Sequence, residues 1–145
     1  MPAKLFTTEQ KARIKQAIRD AEKNTSGEIR VHIDKKCKAD VLDRAAYLFE
    51  QLKMHKTKLR NGVLFYLATE DHKFAILGDA GINSVVPDHL WDDIKDLMTE
   101  CFKEGQFTEG LESGIKLAGE QLKKQFPYQL DDENELDDEI SFGES

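Results

Sequence analysis

The sequence predicts one α/β domain: an α/β/α sandwich in which a small mixed β-sheet is flanked by helices on both faces. A chain of 145 residues, 39% of them hydrophobic, has the length and apolar content of one domain. Segments of helical periodicity alternate with short strand-like segments in the order αβαββαα. A strand–helix–strand unit pairs its two strands in parallel, and the hairpin that follows adds an antiparallel strand.

The first half of the chain supplies a helix, a strand and a second helix. Thr7 and Gln10 form a capping box, which predicts a helix over residues 7–24. Residues 28–34 alternate between apolar and polar, as in a half-buried strand. Asp40 can cap a second helix over 41–54. The side chains expected to face the core are Ile14, Ala17, Ile18 and Ala21, then Ile29, Val31 and Ile33, then Leu42, Ala45, Ala46, Phe49 and Leu52.

The second half supplies a hairpin and two further helices. Residues 63–68 are continuously apolar and predict a strand buried on both faces, followed by a polar turn and a returning strand over 73–77. A glycine-rich loop, 78–81, precedes a third helix that begins near Pro87 and ends at Gly105. The fourth helix covers 107–125. Predicted core positions in these helices are Leu90, Trp91, Ile94, Leu97, Met98, Cys101 and Phe102, then Phe107, Leu111, Ile115, Ala118 and Leu122.

Charge divides the chain into a domain, residues 1–127, and an acidic tail, 128–145, that we expect to be disordered. The formal net charge is −7, and the tail carries eight acidic and no basic side chains, so the domain itself is nearly neutral. A basic surface for nucleic acid is not expected. No apolar run approaches the roughly 20 residues of a membrane span, and no secretory signal is evident. We therefore expect a cytoplasmic monomer.

Most motifs of known chemistry are missing. The chain has no glycine-rich phosphate loop after a strand, no cysteine-phosphatase or aspartyl-phosphatase loop, and no Gly-x-Ser-x-Gly turn. Its histidines, at positions 32, 55, 72 and 89, lack zinc-ligand spacing and are expected at the surface. Nothing marks a catalytic nucleophile.

One constellation follows from the predicted topology. Glu28 begins the first strand, Asn61 precedes the second and Asp79 follows the third, so all three should meet at one edge of the sheet. Asp88, and Asp93 one turn further on, can overhang the same edge. Carboxylate, amide and carbonyl oxygens are the ligands of Ca²⁺ or Mg²⁺. The alternative is that Asp88 only caps the third helix and Asp93 only lies on its solvated face.

The chain resembles the TPM domain family, whose motifs occur in order over roughly residues 8–125. The first motif matches Glu22, Thr25, Gly27, Glu28, Ile29 and Val31; the later ones match 61–64, 78–82 with Asp88, and 105–107 with Gly110 and Leu111. The loop at 78–81 has one residue more than the family pattern, and the export signal and membrane helix of many members are not found in the sequence given.

The resemblance implies an α/β/α sandwich that often binds calcium, with weak acid phosphatase activity in some members. The family's metal ligands correspond here to Glu28, Asn61, Asp79 and Asp88. We therefore expect first a module that binds a divalent cation, with Ca²⁺ favoured over Mg²⁺. The alternatives are a weak metal-dependent phosphatase with Asp79 or Asp88 as base, and an interaction module that docks a protein partner through Ile140 and Phe142 of the acidic tail.

Overall fold

The computed structural model describes residues 6–127 and 140–143, and within them it confirms the predicted sandwich. The sheet contains β1 (Glu28–Asp34), β2 (Gly62–Ala68), β3 (Lys73–Gly78) and β4 (Ser141–Phe142) in the spatial order β3-β2-β1-β4. β1 is parallel to both β2 and β4, whereas β3 is antiparallel to β2. The helices are α1 (Thr8–Glu22), α2 (Val41–Gln51), α3 (Ala80–Asn83), α4 (Leu90–Lys103) and α5 (Phe107–Gln125).

Local signals place the starts of the first two helices where the sequence predicts them. The Thr7 side chain accepts a hydrogen bond from the Gln10 amide, and the Gln10 side chain accepts one from the Thr7 amide. The Asp40 carboxylate accepts hydrogen bonds from the first-turn amides of Leu42 and Asp43. Each cap satisfies amides that would otherwise lack a partner at the helix start.

The sheet separates two apolar cores. The larger lies between the sheet and α1, α4 and α5, and receives the odd-numbered side chains of β1 and β2. The smaller lies under α2 and receives even-numbered side chains of β2 together with Cys37. Helices α1 and α5 pack closely because small residues meet: a side chain at Gly119 would collide with Ala21.

Helix α2 is rotated relative to its predicted face. Leu42 and Ala46, both expected in the core, are exposed, whereas Leu48 and Phe49 are buried. The rotation brings Arg44 within hydrogen-bond distance of Asp34 at the end of β1. On α4, Leu97 was likewise expected in the core but its side chain is 42% exposed. Helical spacing alone does not distinguish such adjacent faces.

The glycine-rich segment after β3 is a short helix instead of an open loop. Asp79 caps α3 through its side chain, which accepts a hydrogen bond from the Ala80 amide. A side chain at Gly81 would overlap the backbone carbonyl oxygens of Leu59 and Arg60. Glycine is therefore needed there for α3 to approach the loop that leads into β2.

Strand β4 was not predicted. Residues 140–143 belong to the segment assigned to the acidic tail, yet Ile140 is buried in the larger core and Phe142 packs against it. Residues 128–139, with most of the predicted acidic run, and 144–145 lie outside the described residues. Within the part of the chain that is described, no helix is long and apolar enough to cross a membrane.

Two alanine substitutions on α4 test how the larger core contributes to stability. Ile94 is 1% exposed and Leu97 is 42% exposed. Ile94→Ala removes a buried side chain and leaves a cavity, so we expect it to lower the free energy of unfolding by about 2–5 kcal/mol. Leu97→Ala, the matched control, should cost less than about 1 kcal/mol. Urea denaturation measures both, and equal losses would contradict the observed orientation of α4.

Candidate functional site

The amino edge of the sheet brings three of the predicted ligand residues together. Glu28 is paired with Gly62 across β1 and β2, and the Glu28 amide donates to the Asn61 carbonyl oxygen over 3.5 Å. The Asp79 amide donates to the Gly62 carbonyl oxygen over 2.9 Å. Glu28 and Asp79 therefore flank Gly62 in one row across three strands, with Asn61 adjacent. We call this edge the rim.

Met54 packs against Gly62, which lies between the two acidic residues of the rim. An added side chain there would lie 3.3 Å from the backbone carbonyl oxygen of Met54. That carbonyl belongs to a 3-10 turn, Met54–Lys56, which lies against Gly62. The rim thus contains two acidic residues and one amide residue, with the Met54 carbonyl against the glycine between them.

Polar atoms at the rim are deeply buried. Glu28, Asn61 and Asp79 are 2%, 1% and 7% exposed. The Asn61 Nδ2 donates to Ser26 Oγ over 3.3 Å, while its Oδ1 is buried without a hydrogen-bond partner. Thr57 Oγ1, in the loop that leads to Asn61, is also buried without one. Buried oxygens without a hydrogen-bond partner are rare in folded proteins.

Arg60 forms an ion pair with the Asp79 carboxylate. Its Nε and one terminal nitrogen donate to the two carboxylate oxygens over 2.6 and 2.7 Å. The hydrogen bonds and charge of Asp79 raise the pKa of Arg60. The Arg60 side chain is half exposed, whereas the Asp79 side chain is buried. A positive charge therefore already lies at the carboxylate where the sequence predicted a cation.

The two remaining predicted ligands lie at the solvent side. Asp88 is exposed in the turn before α4. Asp93 is exposed on the first turn of α4, where its carboxylate lies 2.7 Å from His89 Nδ1. The start of α4 is nevertheless fixed near the rim, because Trp91 Nε1 donates to Asn83 Oδ1 and Asn83 Nδ2 donates to the Gly78 carbonyl. Across residues 6–127 and 140–143, no three His, Cys, Asp or Glu side chains converge as a metal site.

A second polar cluster lies at the opposite end of β1. The Asp34 carboxylate accepts hydrogen bonds from Tyr66 Oη over 2.6 Å, from Arg44 Nε over 3.0 Å and from His32 Nε2 over 3.0 Å. His32 Nδ1 lies 2.7 Å from Ser141 Oγ in β4. We call His32, Asp34, Arg44, Tyr66 and Ser141 the Asp34 cluster.

Burial and hydrogen bonding set the charges in the Asp34 cluster. Burial alone would raise the pKa of Asp34, but hydrogen bonds from His32, Arg44 and Tyr66 lower the pKa below its usual range. Burial, with the hydrogen bond to Asp34, raises the pKa of Tyr66 above its usual value. Asp34 is therefore ionised at neutral pH, and Tyr66 is a neutral donor.

Sequence reasoning missed this cluster. The alternation in β1 places His32 and Asp34 on the face opposite the larger core, and His32 was expected at the surface. Instead His32 is 5% exposed and Asp34 1%. Arg44 lies ten residues beyond Asp34 and one turn into α2, so its position in the sequence could have indicated that it pairs with Asp34. The contact of Ser141 could not be found in this way, because its partner His32 lies more than a hundred residues away.

The geometry places the chain among mixed α/β/α sandwiches that carry acidic and amide side chains at the amino edge of the sheet. Comparisons with known proteins identify the family. The model of the TPM domain matches residues 1–121. The chain belongs to the TPM domain family, as the sequence motifs indicated.

Solved structures agree with the assignment. The NMR structure of the BA42 protein from the psychrophilic Bizionia argentinensis is 53% identical, with 95% of each chain covered and a TM-score of 0.88. N-terminal domains of proteins from P. gingivalis and Corynebacterium glutamicum share the fold. The first is 22% identical, with 86% of this chain and 82% of that one covered and a TM-score of 0.72. The second is 13% identical, with 86% and 78% covered and a TM-score of 0.67. A comparison with curated proteins gives no match.

The charge of Asp34 yields a pH-dependent prediction. Its lowered pKa in the folded state means that its stabilisation is present above the unfolded pKa of about 3.9 and is lost as the pH falls. Asp34→Asn leaves Arg44 without its buried anion and should lower the free energy of unfolding by about 3 kcal/mol at pH 7. The difference in the free energy of unfolding between Asp34→Asn and the unsubstituted chain should become smaller below about pH 4. The control is Asp96→Asn on the exposed face of α4, and urea denaturation from pH 7 to pH 3 measures both. A constant difference over that range would contradict the role given to the charge.

Proposed function

We propose that this TPM domain binds a divalent cation, Ca²⁺ in preference to Mg²⁺, at the rim. The observation that supports it is the row in which Glu28 and Asp79 flank Gly62, with the buried, unpartnered Oδ1 of Asn61 beside it. Carboxylate, amide and backbone carbonyl oxygens are the donors that hard cations prefer, and no thiolate or imidazole belongs to the set.

The donor set favours Ca²⁺ for a geometric reason. Its members come from two strand ends, a loop and a 3-10 turn, so their directions are irregular. Ca²⁺ accepts six to eight oxygens at about 2.3–2.6 Å in flexible geometry, whereas Mg²⁺ requires a near-ideal octahedron and loses its waters reluctantly. Asp88 and Asp93, exposed near the start of α4, are proposed as outer ligands.

Arg60 has a defined role in this proposal. Its guanidinium neutralises Asp79 in the metal-free protein, because an isolated buried carboxylate is costly. A bound cation takes over that neutralisation. The half-exposed Arg60 side chain can then turn into solvent.

Binding is better supported than the alternatives. Phosphomonoester hydrolysis by metal-activated water needs a base beside the cation. Asp79 would itself be a ligand of the cation and also caps α3, and Asp88 is exposed. A docking role for Ile140 and Phe142 competes with their packing against the domain's own core.

The first test of the rim is the effect of Ca²⁺ on thermal stability. A ligand that binds only the folded state at a hundred times its Kd stabilises it by about 2.7 kcal/mol. For a domain of this size we expect the melting temperature to rise by roughly 5–10 °C. Asp79→Asn should abolish the rise, and Asp96→Asn should leave it intact. Differential scanning calorimetry with Ca²⁺, with Mg²⁺ and with a chelator measures the effect.

The same experiment assigns the outer ligands. Asp88→Asn and Asp93→Asn should each reduce the Ca²⁺ response without removing it. An undiminished response in Asp79→Asn would move the cation away from the rim. Phosphomonoester hydrolysis that requires Ca²⁺ and disappears in Asp79→Asn would instead favour the phosphatase alternative.

A second test uses the competition with Arg60. Arg60→Gln removes the guanidinium that occupies the Asp79 carboxylate, so we expect Ca²⁺ to bind several-fold more tightly by isothermal titration calorimetry. Glutamine keeps a long polar side chain at a residue whose φ is 52°. The control is Arg13→Gln, which removes an arginine paired with Glu112 on the α1–α5 surface. Weaker binding in Arg60→Gln would show that the arginine supports the site instead of competing with the cation.

A further inference from the structure

The segment between α2 and β2, residues 53–60, is strongly basic, and we call it the basic loop. It contains no acidic residue, and its basic residues are Lys53, His55, Lys56, Lys58 and Arg60. Arg60 is bound to the Asp79 carboxylate. The three lysines are exposed, and none of them forms an ion pair with a carboxylate of residues 6–127 or 140–143. The basic loop therefore presents unpaired positive charge to solvent.

Two exposed apolar side chains lie on segments next to the lysines. Leu59, in the basic loop, is 50% exposed, and Val85, just after α3, is 45% exposed. The two segments meet at Gly81, where an added side chain would overlap the carbonyl oxygens of Leu59 and Arg60. The Val85 amide donates over 3.2 Å to the carbonyl oxygen of Ile82, the residue after Gly81. Positive charge and exposed apolar surface therefore occur together at the amino edge of the sheet.

The basic loop is anchored to the domain by its own backbone and by two buried side chains. Met54 and Thr57 are 0% and 4% exposed. The Arg60 amide donates to the Thr57 carbonyl oxygen over 3.3 Å, and the Ile82 amide donates to the Arg60 carbonyl oxygen over 3.2 Å. Because the backbone is held before a partner arrives, less ordering is required when the lysines and Leu59 bind one.

The chemistry of this surface favours an anionic membrane as its partner. Lysines near a membrane are attracted by anionic lipids, and apolar side chains enter the boundary between headgroups and acyl chains. No Phe, Tyr or Trp occurs in the basic loop, so the loop offers no platform on which the bases of a nucleic acid could stack. A stable protein–protein interface buries about 800 Å² on each partner, and two exposed apolar side chains supply little of that area.

We propose that the basic loop and Val85 dock the domain on a membrane surface that contains anionic lipids. Lys53, Lys56 and Lys58 bind the lipid phosphates as point charges. Leu59 and Val85 enter the headgroup region between them. None of these residues belongs to the predicted ligand set at the rim, so the docking does not depend on cation binding.

Two exposed carboxylates close to this surface oppose the attraction. Glu50 precedes Lys53 at the end of α2, and Asp88 follows Val85 in the turn before α4. Charges act on a membrane surface within a Debye length, about 8 Å at physiological ionic strength. Asp88→Asn should therefore strengthen membrane binding in the absence of divalent cations, whereas Asp96→Asn, on the exposed face of α4, should leave it unchanged.

Vesicle co-sedimentation of the full chain, in chelator without added divalent cation, tests the proposal. The probes are vesicles of phosphatidylcholine alone and of phosphatidylcholine mixed with phosphatidylglycerol, at low and at physiological salt. We expect binding to the mixed vesicles only, and weaker binding as the salt concentration rises. The triple variant Lys53→Gln/Lys56→Gln/Lys58→Gln should weaken that binding by roughly tenfold or more.

Matched controls remove the same groups from other surfaces. The control for the lysines is a triple variant of exposed lysines on α4 and α5, Lys103→Gln/Lys116→Gln/Lys124→Gln, which should bind the mixed vesicles as the unsubstituted chain does. Leu59→Asn/Val85→Asn should weaken binding several-fold. Its control is Leu42→Asn/Leu97→Asn, whose side chains are 54% and 42% exposed on α2 and α4 and which should have no effect. Since all these side chains are exposed, every variant should keep the melting temperature of the unsubstituted chain.

Several outcomes would overturn the proposal. These are the absence of binding to the mixed vesicles, equal binding to phosphatidylcholine alone, and undiminished binding of the variant that lacks Lys53, Lys56 and Lys58. A loss in that variant without any loss in Leu59→Asn/Val85→Asn would overturn it as well. Competition by soluble polyglutamate would then assign the basic loop to an acidic protein segment instead of a membrane.

Discussion

Burial of the Asp34 carboxylate at the end of β1 constrains much of the structure around it. An ionised carboxylate that is 1% exposed must be matched by donors, and three side chains from β1, α2 and β2 supply them. Arg44 can reach Asp34 only if α2 turns that residue inward, which sets the rotation of the helix. His32, held by Asp34 on one side, meets Ser141 on the other and so fixes the last strand against the sheet.

How much of the fold was predictable depends on the distance over which each signal acts. The starts of α1 and α2 follow from Thr7 with Gln10 and from Asp40, interactions between residues two or three positions apart. The face that α2 buries does not follow from a local signal. It is set by the contact of Arg44 with Asp34, which lies ten residues away in β1. β4 pairs at only two positions in an acidic segment, and its one local signal is the apolar pair Ile140 and Phe142.

At the rim, the topology was predictable from the sequence but the side-chain contacts were not. Parallel pairing of β1 with β2, followed by a hairpin, is enough to bring Glu28, Asn61 and Asp79 to one edge. The ion pair between Arg60 and Asp79 spans 19 residues, and the backbone at Arg60 is left-handed. No pattern in the sequence indicates that conformation for an arginine. The place of Gly62 between the two acidic residues becomes apparent only once the register is known.

The short strand β4 also decides which backbone groups of β1 are open to pairing. It pairs with β1 at His32 and Ile33, and the Gly143 amide adds one hydrogen bond to the Ile33 carbonyl. Without β4, β1 would be the edge strand of the sheet. The uncovered edge of a strand rich in β-branched residues is a template for strand addition by another molecule. Residues 141–143 thus cover the part of that edge at His32 and Ile33. Gly143 is required for this, because any side chain there would overlap Asp34. Loosening β4 would therefore uncover the backbone of β1 at Ile33, next to the buried Asp34.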